Sequence, residues 1–106
     1  MHAMHIVAHS TLVNFYSQPQ YQDAQGALEA WHEAAKLAQW ASPADVKAQF
    51  GNASIVGNNR VVFNIKGNDY RLIVAIAYRM QWVYVKFVGT HAQYDRIDAA
   101  TVDQSK

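Results

Sequence analysis

The sequence predicts an α+β fold in which helices pack on one face of a small twisted antiparallel β-sheet and a short helix ends the chain. Two observations indicate this fold. Apolar residues recur at helical spacing between residues 21 and 40. From residue 60 onward they alternate with other side chains, as strands do. Because 106 residues suffice for one such core but not for two independent ones, we expect a single domain over residues 1–106.

Helical segments are predicted before the strands. Residues 11–17 can form one or two turns, after an apolar run at residues 4–9 that is either a first strand or the start of this helix. Residues 21–40 carry the clearest amphipathic pattern. Ser42 and Pro43 then occupy the positions of a serine cap and a first-turn proline, so that a short helix is expected to begin there.

A β-hairpin follows these helices. Residues 60–66 and 70–78 have alternating patterns and are separated by the turn signal Gly67-Asn68. A two-residue loop and a four-residue loop both place Asn64 opposite Arg71. One face of the hairpin then carries five polar residues, which are Arg60, Asn64, Lys66, Asp69 and Arg71. The opposite, apolar face is expected to pack on the helices.

A third strand is predicted over residues 82–88, where two alternating sets of side chains are possible. Whether the preceding loop has an odd or an even number of residues is unclear from the sequence. Either set could therefore lie on the polar face of the hairpin. Residues 92–98 have the pattern of one or two helical turns. Residues from about Ala99 onward are expected to form a flexible tail.

The composition restricts the possible chemistry. The chain has no cysteine, which excludes disulfides, a thiolate nucleophile and thiolate metal sites. A net charge of +1 conceals an uneven distribution: residues 1–53 contain two basic and four acidic residues, and residues 54–106 contain seven basic and four acidic ones. A polyanion is therefore expected to bind the second half.

The N-terminal residues predict neither export nor a metal site. His2, His5 and His9 interrupt the apolar stretch that a signal peptide needs, and no segment approaches the roughly 20 apolar residues of a membrane span. We therefore expect a cytoplasmic protein without membrane contact. In an extended chain His5 and His9 share a face, but no carboxylate lies near them in sequence, so we expect no metal and no cofactor.

The second half contains the residue types that metal-free RNA cleavage requires. That reaction needs a base for the 2′-hydroxyl, an acid for the leaving 5′-oxygen and cations for the phosphate. Arg71 is the strongest candidate cation, because its planar fork matches two phosphate oxygens. His91 and Tyr94, one helical turn apart, can transfer protons. Taken singly, His91 also fits a capping residue, Tyr94 a half-buried anchor, and the strand residues a solvated sheet face.

Two blocks of the second half, VFNIKGNDYRL at residues 62–72 and GTHAQYD at 89–95, follow ALEAW, AQW and SPADVK in the first half. In this order the motifs resemble HigB-type toxins, which are RelE-like mRNA interferases. The resemblance extends over residues 9–98. It implies a RelE-like fold and an endoribonuclease that cuts mRNA, commonly on the ribosome, by attack of the 2′-hydroxyl to leave a 2′,3′-cyclic phosphate.

The resemblance also implies roles for individual residues and a partner. Arg71 would stabilise the phosphate, His91 would take the proton-transfer position, and Tyr94 would be the aromatic residue of the closing helix. The residues expected to contact RNA are Arg60, Asn64, Lys66 and Asn68. The implied partner is a HigA-type antitoxin with a helix-turn-helix domain, through which the complex would bind operator DNA.

Two other functions fit the same residues. The chain could be a non-catalytic RNA-binding module, in which the basic residues hold phosphates and Tyr94 stacks on a base. It could also be an inactive toxin homologue that acts only within a DNA-binding repressor complex.

Overall fold

The computed structural model of the chain describes residues 3–104, so that His2 lies outside the described residues. The helices are α1 (His9–Tyr16), a 3₁₀ helix (Pro19–Ala24), α2 (Gln25–Leu37), α3 (Pro43–Gln49) and α4 (His91–Tyr94). The strands are β1 (His5–Val7), β2 (Ser54–Val56), β3 (Arg60–Ile65), β4 (Tyr70–Ala77) and β5 (Trp82–Thr90). None of these helices is long and apolar enough to cross a membrane.

Within residues 3–104 the strands form one five-stranded sheet in the order β1-β5-β4-β3-β2. Strands β2 to β5 pair antiparallel, whereas β1 runs parallel to β5. The predicted α+β class, the three long strands and the register of Asn64 opposite Arg71 are confirmed. The two additional edge strands have three residues each, which is too short for a readable alternation.

The main core lies between the sheet and the helices. Phe63 and Leu72, which face each other across β3 and β4, are buried in it together with Leu12, Leu28 and Trp31 of the helices. The apolar face of the hairpin therefore packs as predicted. Because side chains alternate along a strand, Arg71 and Ile73 lie on the opposite face of the sheet from Leu72.

The opposite face of the sheet carries a second, smaller core. Val62, Ile73 and Phe87 are buried there, and the C-terminal segment covers them. Arg60 and Arg71 on this face are each only 8% exposed. This face is therefore not the solvated polar surface that the alternation suggests on its own.

Residues 99–104, expected to form a flexible tail, pack on this second face. The Arg60 guanidinium donates to the carbonyl oxygens of Ala99, at 3.1 Å, and Val102. The Gln104 backbone N–H donates to the Lys86 carbonyl at 2.8 Å. Because a buried guanidinium needs hydrogen-bond acceptors, Arg60 holds residues 99–104 against the sheet.

Strand β5 changes faces along its length. The pairing with β4 shifts between Ile73 and Val74, which leaves Lys86 as an inserted residue. Val85 before the shift and Val88 after it both belong to the main core, whereas Phe87 lies in the second core. Neither of the two alternating sets predicted for this strand stays on one face of the sheet. The inserted residue shifts the alternation, so that side chains after it point to the face opposite the one predicted.

Candidate active site

Arg71 is a buried cation near the start of β4. Its Nη1 donates to the carbonyls of Asn68 and Tyr70, both at 3.1 Å, and its Nη2 donates to the side-chain oxygen of Asn68 at 3.0 Å. A guanidinium has five N–H donors, so after these three bonds two donors have no hydrogen-bond partner among the described residues. The turn before β4 therefore fixes the plane of the guanidinium and leaves part of its fork unused.

The short helix α4 is built by a reciprocal capping box. The Thr90 hydroxyl accepts from the Gln93 backbone N–H at 3.1 Å, and the Gln93 side-chain oxygen accepts from the Thr90 N–H at 2.9 Å. This cap starts the helix at His91, so that Tyr94 follows three residues later on its last turn. The sequence pattern predicts helical turns at residues 92–98, and the Thr-x-x-Gln pattern at residues 90–93 is a signal that could have located the start of the helix at His91.

Tyr94 lies against Arg71. The guanidinium carbon is 5.7 Å from the centre of the Tyr94 ring, a cation–π distance. Tyr94 also packs at the edge of the second core. The predicted phosphate-binding residue and the predicted aromatic residue therefore lie on the same side of the sheet.

Gly89 allows α4 to close on the sheet next to Arg71. It is directly opposite Arg71 in the register of β4 and β5. A β-carbon at this position would lie 2.6 Å from the Gln93 side-chain oxygen and 2.7 Å from Cζ of Phe87. Both distances are too short for any side chain, which explains the glycine of the GTHAQYD block.

His91 joins α4 to the turn before β4. Its backbone N–H donates to the Asp69 carbonyl at 3.1 Å, while its imidazole is 53% exposed, with Nε2 3.8 Å from Oδ1 of Asp95. His91 and Asn68 line the same cavity of about 570 Å³, which Tyr21 also borders. Arg71 and Tyr94 do not line this cavity, and Asn68, which binds Arg71, connects the cavity to the pair.

The structure places Arg71 in contact with both Asn68 and Tyr94, and this region adjoins a cavity lined by Asn68 and His91. Asn64 is exposed and directly across from Arg71 on β3, at the edge of the same region. The candidate groups are an oriented cation at Arg71, an exposed imidazole at His91 and a phenol at Tyr94. These are the groups that the cleavage of a phosphodiester requires.

Arg60 lies apart from this region. It is near the other end of the hairpin, opposite Ala75, and its guanidinium holds carbonyls of the C-terminal segment. The structure does not bring it together with Arg71.

The predicted placement of Lys66 on the face of Arg71 is wrong. Lys66 follows the end of β3 with a φ of 53°, which takes it out of the strand alternation. Its ammonium lies 2.7 Å from Oδ2 of Asp23, in the 3₁₀ helix on the other side of the sheet. The reason is the four-residue turn, in which Lys66 and Gly67 both adopt left-handed backbone conformations.

Asp23 was not identified from the sequence, because its partners are more than 40 residues away. Its carboxylate accepts from Lys66 and from the Tyr70 hydroxyl. These two bonds, that of Lys66 first, lower the pKa of Asp23. The bond to the carboxylate raises the pKa of Tyr70 to about 12, with burial adding to it. The network ties the turn before β4 to the helical layer.

The chain matches a protein-family model. Residues 24–97 match a family model, HigB toxin, described as the RelE-like toxic component of a toxin-antitoxin system. The match covers more than two thirds of the chain and includes Asn68, Arg71, His91 and Tyr94. A search of curated proteins found no match.

Proposed function

Because this chain belongs to the HigB family, the RelE-like toxins of toxin-antitoxin systems, we propose that it is an endoribonuclease that cuts mRNA on the ribosome in the cytoplasm. The observation that supports this activity most strongly is the contact between Arg71 and Tyr94, which is on the same short helix as the exposed imidazole of His91. The site uses no metal in this proposal, since a cation, a base and an acid are all supplied by side chains.

The proposed reaction is an in-line displacement at phosphorus. The 2′-oxygen forms a bond to phosphorus as its proton passes to a base, and the bond from phosphorus to the 5′-oxygen breaks as that oxygen gains a proton. The products are a 2′,3′-cyclic phosphate and a 5′-hydroxyl. The two unused N–H donors of Arg71 stabilise the charge on the phosphate oxygens.

His91 is the proposed proton-transfer residue. An imidazole can accept and donate a proton near neutral pH, and this one is exposed to a substrate. The Tyr94 ring lies against the guanidinium, and in this proposal its hydroxyl takes part in the reaction. Both residues depend on α4, and so on the capping box of Thr90 and Gln93.

The proposed RNA contacts are Asn64 and Asn68. Both are exposed and adjoin Arg71. Arg60 and Lys66 are left out of the proposed RNA surface, since Arg60 is buried under the C-terminal segment and Lys66 pairs with Asp23 on the helical side.

The proposed antitoxin is of the HigA type, with a helix-turn-helix domain. In this proposal the complex binds operator DNA through the antitoxin, and the toxin itself contacts only mRNA. The toxin does not cleave mRNA while the antitoxin is bound to it.

Induced expression from a repressed promoter tests the function. We expect growth arrest and mRNA fragments that end in cyclic phosphate, both absent with Arg71→Ala and unchanged with Arg79→Ala, an exposed arginine outside the site. Normal growth with folded wild-type protein would contradict the proposal. RNA binding without fragments would favour a non-catalytic RNA-binding module, and absence of both would favour an inactive homologue within a repressor complex.

A further inference from the structure

A second cluster of polar side chains lies on the helical layer. His9 is the first residue of α1, and Glu29 and His32 are one turn apart on α2. One nitrogen from each histidine and a carboxylate oxygen lie within 4.8 Å of one another. Nε2 of His9 is 2.8 Å from Oε2 and 3.0 Å from Oε1 of Glu29.

The sequence did not indicate this cluster, because no carboxylate lies near His9 along the chain. His9 is not part of an extended strand that would place it on the same face as His5, because it is the first residue of helix α1. Packing of α1 alongside α2 then brings it to Glu29, 20 residues away. The rings of His9 and His32 stack with their centres 4.0 Å apart.

A fourth residue supports the carboxylate. The Tyr16 hydroxyl, at the end of α1, donates to Oε2 of Glu29 at 2.7 Å. Such an outer hydrogen bond orients a ligating carboxylate and leaves its other oxygen available.

We propose that His9, Glu29 and His32 form a binding site for a first-row transition metal ion, with Zn²⁺ as the first candidate. Two imidazoles and one carboxylate are a donor set that Zn²⁺ accepts. Tetrahedral bonds of about 2.1 Å place two ligands of one ion about 3.4 Å apart. His9 and Glu29, at 2.8 Å, would therefore move slightly apart, and the widest separation in the cluster would shorten, by rotation of these partly exposed side chains.

The bound ion would join the start of α1 to the middle of α2. Both helices pack on the face of the sheet opposite Arg71. The site is therefore independent of the proposed RNA chemistry, and the ion is expected to stabilise the fold.

Zinc titration of the purified full chain, without a histidine tag, tests the proposal. We expect one saturable Zn²⁺ per chain by calorimetry and a higher Tm with Zn²⁺ than without it. His9→Ala, His32→Ala and Glu29→Gln should each weaken binding at least tenfold. His5→Ala is the matched control and should bind as the wild type does, because the His5 ring lies tilted against Trp82, outside the cluster.

A Co²⁺ titration gives a readout that needs no variant. Coordination by two imidazoles and a carboxylate is expected to give visible absorption bands that saturate at one ion per chain and disappear when Zn²⁺ is added. Failure of the wild-type chain to bind either ion saturably would overturn the proposal. Binding that survives both histidine substitutions would also overturn it, even where those variants are less stable.

Discussion

The guanidinium carbon of Arg71 lies 5.7 Å from the centre of the Tyr94 ring, although the two residues belong to different elements of the chain. Arg71 is on a central strand and Tyr94 is on the last helix. Gly89 lets that helix approach the sheet, and the Thr90 cap fixes where it starts. This contact joins the residue proposed to hold the phosphate to the helix proposed to supply proton transfer.

Replacement of Arg71 by lysine tests whether the planar fork matters. Arg71→Lys keeps the charge but loses the bidentate geometry and the bonds to Asn68. We expect mRNA cleavage to fall about 10²- to 10³-fold, the usual effect of losing a donor that stabilises an oxyanion. Arg79→Lys is the control and should cleave normally. Cleavage by Arg71→Lys at the wild-type rate would show that charge alone is sufficient.

Gly89→Ala tests the approach of α4 to the sheet. The new methyl group would overlap Gln93 and Phe87, and we expect a loss of about 1–3 kcal/mol in the free energy of unfolding. Gly26→Ala, where a β-carbon meets nothing within 4 Å, should be neutral or stabilising by up to about 1 kcal/mol. Urea denaturation measures both. Equal stability of the two variants would mean that α4 is not packed as described.

Arg60→Ala separates a structural role from RNA binding. Its guanidinium is buried and bonds to two carbonyls of the C-terminal segment. We expect a loss of stability on the order of 1.5–3 kcal/mol, the range for a hydrogen bond to a charged group. Cleavage per folded molecule should stay within a few-fold of wild type. Unchanged stability with lost cleavage would place Arg60 among the RNA contacts.

Asp23 is expected to stabilise the fold in a pH-dependent way. Its pKa is lower in the folded state than the usual 3.8, so its contribution is complete above that value and is lost as the pH falls through the folded pKa. Urea midpoints of Asp23→Asn should therefore lie below those of wild type near pH 7, and the difference should shrink below about pH 4. Glu33→Gln, an exposed carboxylate, is the control. A difference that does not depend on pH would contradict the role of the carboxylate charge.

The second half of the fold could be predicted further than the first. Alternation in β3 and β4 fixed both the buried face and the pairing of Asn64 with Arg71, because a slip of one residue would expose the whole apolar set. The parallel pairing of β1 with β5 could not be predicted, since three residues give no periodicity. The insertion of Lys86 could not be predicted from nearby residues either. It depends on the packing of β5 side chains into two different cores, one on each face of the sheet.

The placement of Arg71 next to Tyr94 could be predicted, whereas the surroundings of Arg60 and Lys66 could not. Arg71, His91 and Tyr94 stand in distinctive motifs, and Arg71 meets Tyr94 because Gly89, opposite Arg71 in the sheet, directly precedes the capped helix α4. The surroundings of Arg60 and Lys66 depend on partners 39 and 43 residues away in the chain. Alternation alone assigns both residues to one solvated face, and it contains no information about such distant partners.

The most direct test of the central claim is the chemistry of RNA ends made by the protein. RNA from cells that briefly express the wild-type chain or Arg71→Ala is treated to distinguish 2′,3′-cyclic phosphate from 3′-hydroxyl ends, and the ends are mapped on mRNA. We expect new cyclic-phosphate ends within coding regions for wild type, each paired with a 5′-hydroxyl, and none for Arg71→Ala. Equal numbers of such ends in both samples would contradict an active site centred on Arg71.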